Sequence, residues 1–97
     1  MNDLTAKTVT ATGYITGSSS NAQPARVKTI YYVASGSAGS ITLKDGGSGG
    51  TSKIVIATPA SATATEVVYI PDSGVRFSTD VHATIADVTS VTVFHDG

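Results

Sequence analysis

Turn-forming clusters interrupt this chain at short, regular intervals, and they limit what it can fold into more than any other feature. Gly17–Asn21, Ser35–Gly39, Asp45–Gly50 and Pro71–Gly74 are built from Gly, Ser, Asn, Asp, Ala and Pro. Most of these supply left-handed φ, a fixed φ or local side-chain bonds to the backbone. The segments between them are strand-length and rich in Val, Ile and Thr. Such β-branched side chains lose rotamer freedom in a helix and pack well on a pleated sheet. A helical domain would draw on Leu, Glu, Gln and Lys, yet the chain has two Leu, one Glu and one Gln. The fold class is therefore all-β.

The segments can be placed in order. Lys7 to Thr16 alternates, with Val9, Ala11, Gly13 and Ile15 on one face and Thr8, Thr10, Thr12, Tyr14 and Thr16 on the other, as a half-buried antiparallel strand does. Arg26 to Ala34, Ile41 to Lys44, Lys53 to Thr58, Glu66 to Ile70, Val75 to Phe77, Val81 to Ile85 and Ser90 to Phe94 follow. Pro59 stops one of them, and Ala60–Ala64 reads as an exposed connection despite its alanines. About eight strands at this spacing predict a compact antiparallel β-sandwich or jelly roll. Residues 7–97 form its single domain, with residues 1–6 as an N-terminal arm that reaches a neighbour or stays unattached.

Charge and composition exclude several function classes. Six Lys or Arg against seven Asp or Glu leave a formal net charge of -1, with no basic stripe of the kind that nucleic acid demands. There is no cysteine, so disulfides and Cys-based zinc sites are ruled out. No apolar run approaches the roughly 20 residues of a membrane-spanning helix, and Met1–Thr5 lacks the charged and apolar regions of a signal peptide. The expectation is a protein without membrane or nucleic-acid partner, folded where it is made.

Each chemical motif has a structural competitor. Asp80, His82, Asp87, His95 and Asp96 offer oxygen and imidazole ligands that a metal site could use, but no spacing among them is diagnostic of one. Turn carboxylates such as Asp80 and Asp87 cap backbone amides. No strand-to-helix unit exists to hold a Gly-x-Ser-x-Gly elbow, and Glu66 is the only glutamate available to a carboxylate pair. Gly46–Gly50 lacks the Lys-Ser/Thr and helix of a phosphate loop, and leads through Thr51, Ser52 and Lys53 into a strand. It reads as a flexible hairpin connection. No catalytic residue, metal or cofactor is assigned, and the chain is read as a non-enzyme.

The functional hint lies in strands that are apolar on both faces. Ile30 and Tyr32 oppose Tyr31 and Val33, and Val67 and Tyr69 oppose Val68 and Ile70. A sandwich strand needs only one apolar face. We therefore take Ile30, Tyr31, Tyr32, Val67, Val68 and Tyr69 as candidate subunit contacts, and expect a homo-oligomer, most simply a trimer or ring. Exposed tyrosines also stack on sugars, which makes a carbohydrate-binding module the competing reading.

The stretches Val27–Val33 and Ser40–Gly46, with Ile70–Thr84 and Val91–Phe94, resemble small virion proteins of tailed phages, particularly marine and cyanobacterial ones. The resemblance spans residues 26–95 and is a pattern of strands and turns. It implies a virion structural protein made in the host cytoplasm, of the capsid decoration or cement type. Such a protein binds the major capsid protein on the assembled shell, and binding only the assembled form stabilises it by mass action. A tail, neck or fibre component is the alternative within the same family. The resemblance brings no catalytic residues.

Overall fold

The computed structural model describes residues 4–61, 64–71 and 74–96. It is all-β, with two antiparallel sheets packed face to face. Among the described residues the nine strands are β1 (Leu4–Val9), β2 (Gly13–Thr16), β3 (Ala25–Ala34), β4 (Gly39–Asp45), β5 (Thr51–Thr58), β6 (Thr65–Tyr69), β7 (Val75–Phe77), β8 (Val81–Ala86) and β9 (Val88–Asp96). Sheet A has the order β1-β9-β3-β6, with β7 also paired to β3, and sheet B the order β2-β8-β4-β5. Only β4 and β5 form a simple hairpin. Most other connections carry the chain from one sheet to the other.

The alternating segment Lys7 to Thr16 is not one strand. It breaks at Thr10–Thr12, so that β1 pairs with β9 in sheet A and β2 pairs with β8 in sheet B. Period-2 alternation is the same in a straight strand and in one that bends between two sheets with its inner face kept inward. Leu4–Ala6, assigned to the N-terminal arm by the sequence, pair with Phe94–Asp96 as the first half of β1. Met1–Asp3 lie outside the described residues. So do Ala62 and Thr63 of the alanine-rich connection and Asp72 and Ser73 of the Pro71–Gly74 turn.

The core lies between the sheets. Val27, Ile30, Val91 and Val93 of sheet A meet Ile41, Leu43, Val81 and Ala83 of sheet B, and Phe77 is fully buried with them. Fully burying side chains of this size contributes about 1.5–3 kcal/mol each. Two bulges keep the apolar residues inward. On β3 the register shifts between Val27 and Thr29, so odd-numbered Ala25 and Val27 and even-numbered Ile30, Tyr32 and Ala34 all face the core. On β9 the shift between Ser90 and Val88 does the same for Val88 against Val91 and Val93. A one-residue bulge inverts the facing of everything beyond it.

Candidate interaction surface

The outer face of sheet A is uncharged over three consecutive rows. Cross-strand pairing sets Ala6, Phe94, Thr29 and Tyr69 in one row and Thr8, Thr92, Tyr31 and Val67 in the next; Ser90, Val33 and Thr65 make the third. The solvent face of an antiparallel sheet ordinarily carries charged and strongly polar side chains. Here the hydroxyls of Thr8 and Thr92 bond each other at 2.8 Å, and the larger side chains are aromatic or aliphatic. Leu4, Thr29, Tyr31, Val67, Tyr69 and Phe94 line a groove of about 340 Å³ on this face. Two of its walls stand well out of the protein, with Tyr69 78% and Leu4 57% exposed.

The six candidate contacts separate cleanly on this geometry. Tyr31, Val67 and Tyr69 line the groove. Ile30 and Tyr32 point between the sheets and are buried in the core, which leaves them no surface for a neighbour. Val68, half-buried, packs against the core from β6. Leu4, Thr29 and Phe94 were not among the candidates. Leu4 joins the face only because β1 pairs with β9, a non-local contact that no local pattern announces. Thr29 turns outward because of the bulge beside it.

The titratable residues are organised as structure. Asp80 is buried, and its Oδ1 accepts the amides of Gly46 at 3.1 Å and Gly47 at 2.9 Å. The Gly46–Gly50 connection is thus pinned at its first two residues rather than free, which corrects the flexible hairpin expected of its composition. His82 lies on the outer face of sheet B under the Tyr14 ring, edge-on with centroids 4.9 Å apart. Burial, reinforced by Lys44 and opposed by Asp80, holds its pKa below the usual histidine value. His95 faces inward at the end of β9, its Nδ1 without a hydrogen-bond partner among the described residues. Its pKa is likewise lowered by burial, against the opposing charge of Asp96. Both rings are therefore neutral at pH 7. Among the described residues no three His, Asp or Glu side chains come together as a metal-binding group. Asp87 carries φ 54° where β8 hands over to β9, a conformation that Asp tolerates better than most residues.

Comparison with protein-family models, with curated proteins and with solved structures gives no match.

Proposed function

We propose that this chain is a non-catalytic structural protein that works by assembly, with the outer face of sheet A as its contact surface. One observation carries the reading: eleven cross-strand neighbours in three rows, none charged, around an apolar groove. A contiguous exposed apolar patch marks an interaction site, and aromatic residues are the type most enriched at the centre of such interfaces. The titratable residues point away from catalysis, because the carboxylate of Asp80 serves backbone amides and both imidazoles sit in packed surroundings.

The resemblance to small phage virion proteins gives this reading its setting. We place the chain on the virion as a capsid decoration protein whose neighbours are the major capsid protein and further copies of itself. The exposed tyrosines also keep the sugar-binding alternative in view, but the groove lining offers only Thr and Tyr hydroxyls as polar side-chain groups. A sugar site would normally add carboxylates or amides to fix the hydroxyls of its ligand.

The deciding experiment is electron microscopy of purified particles made with the chain, paired with co-sedimentation of a Val67→Glu/Tyr69→Glu variant. The expected result is density at symmetric positions on the shell, and a folded variant that stays in the supernatant. Absence of the wild-type chain from particles, or full retention of the variant, overturns the proposal.

A further inference from the structure

The uncharged face ends in a row of a different kind. Beyond the Phe94–Thr29 pair, β9, β3 and β7 place Asp96, Arg26 and Arg76 side by side. Ala25 and Val27 face the core on either side of Arg26, as buried Phe77 and half-buried Val75 do beside Arg76. The two arginines therefore project from the outer face as direct cross-strand partners. Like charges in that position repel and destabilise a sheet. The nearby carboxylate of Asp96 is engaged by Lys28 at 3.7 Å. Among the described residues the other ion pair is Lys53 with Asp45, on the opposite sheet, so neither arginine is neutralised within this set.

Resting on the reading of this face as a contact surface, we infer that the groove receives a polypeptide segment of a neighbouring subunit that carries a carboxylate. Its apolar side chains lie among Tyr31, Val67, Tyr69 and Phe94, and its carboxylate lies between Arg26 and Arg76. Charge complementarity selects this occupant. A guanidinium fork matches a carboxylate with two parallel hydrogen bonds, and two forks on adjacent strands can clamp one anion from both sides. An extended segment presents every second side chain to the same face, about 7 Å apart. That spacing lets one residue enter the groove while the next-but-one meets the arginine row. A phosphate backbone fits less well, because the cations occupy one end only and the rest of the face carries no charge to meet a second phosphate.

The test is a titration of the full chain, followed by backbone NMR, with a blocked peptide of sequence Leu-Thr-Glu-Thr-Leu. Its Gln counterpart and inorganic phosphate serve as comparison probes. The palindromic pattern reads the same in either strand direction. The expected result is that the Glu peptide perturbs Arg26, Thr29, Tyr69, Arg76 and Phe94 and binds about tenfold or more tightly than the Gln peptide, the scale of a charge-assisted bond. Arg26→Gln and Arg76→Gln should each erase that preference while the groove signals still respond. Equal binding of the Gln peptide overturns the carboxylate anchor and leaves the contact face standing. Phosphate that binds as tightly as the Glu peptide overturns it in favour of a simple anion site. Perturbation confined to other surfaces overturns both this inference and the contact-surface reading.

Discussion

Asp45 and Asp80 hold each other's turns. Asp45 Oδ1 accepts the amides of Thr79 at 2.8 Å and Asp80 at 3.4 Å, while its Oδ2 accepts the amide and hydroxyl of Ser78 at 3.0 and 3.1 Å. Asp80 Oδ1 accepts Gly46 and Gly47 in return. The first residue lies at the end of β4, and the second opens onto β8. Those strands are neighbours in sheet B, so the exchange ties the β4–β5 hairpin to the crossing from sheet A.

Removing either carboxylate strands backbone donors. Asp80→Ala leaves two amides without an acceptor, one of them buried, at about 1–3 kcal/mol for a lost partner. We expect a loss of about 2–4 kcal/mol in urea unfolding, a large part of the 5–15 kcal/mol typical of a domain. Asp45→Ala should fall in the same range. Because both variants loosen one junction, the double variant should cost clearly less than the sum. Strict additivity would show that the two carboxylates act independently.

Two glycines in and after one loop should respond in opposite ways. A Cβ at Gly39 would run into the backbone carbonyls of Ala86 and Asp87, which cannot move without shifting the β8–β9 crossing. Gly39→Ala should therefore destabilise by about 1–3 kcal/mol or more. Nothing lies near a Cβ at Gly36, so Gly36→Ala should be neutral or stabilise by up to about 1 kcal/mol through the unfolded chain. Thermal melts of the two variants check this, and equal melting temperatures would contradict it.

Much of this architecture is legible in the sequence, and what is missing follows a physical rule. Strand identity comes through wherever a β-branched run is bounded by turns that carry Gly, Asp or Pro, which is every connection except Thr10–Thr12. Sheet membership does not. Thr10–Thr12 looks like a continuing strand, since crossing between sheets preserves the inward-outward alternation that defines it. Bulges are also hidden, and one matters for the surface: Thr29 faces the groove only because the register slips beside Lys28. Double apolarity on β3 and β6 leads to two of the strands that border the groove, while the choice between Tyr31 and Tyr32 waited on knowing which face was inner. The arginine pair was unreadable because Arg26 and Arg76 are fifty residues apart and meet only through β3–β7 pairing.

Acid should weaken the fold in two steps. His82 and His95 both have folded pKa values below the usual 6.5, so the unfolded chain takes up protons first as pH falls. Stability is then full above about pH 6.5 and declines below it, by at most about 1.4 kcal/mol per pH unit for each histidine, until the folded rings also protonate. For Asp45, burial would raise the pKa, but the hydrogen bonds from Thr79, Ser78 and Asp80 outweigh it and the value falls below 3.8. Its contribution is present above that value and is lost as pH drops through the lowered one. Urea midpoints should therefore fall between pH 7 and 5 and again below pH 4, and His95→Gln should flatten the first step. A midpoint constant from pH 7 to 5 would contradict the assignment of neutral, buried rings.

Adjacent Tyr31 and Tyr32 provide the sharpest separation of folding from assembly. Tyr32 is buried between the sheets at 5% exposure, and truncating a large aromatic there costs about 3–5 kcal/mol, enough to leave Tyr32→Ala marginally folded at best. Tyr31 borders the groove on the other side of the same strand, half-exposed, so Tyr31→Ala should lower stability by no more than about 1.5 kcal/mol. Its effect should appear instead in assembly, because an aromatic side chain within an interface is the type whose truncation most often weakens binding by more than 1 kcal/mol. The measurement is a thermal melt beside co-sedimentation for each variant, with Tyr31→Phe as the conservative control. A Tyr31→Ala protein that melts like wild type and binds particles like wild type would remove the outer face of sheet A from the contact.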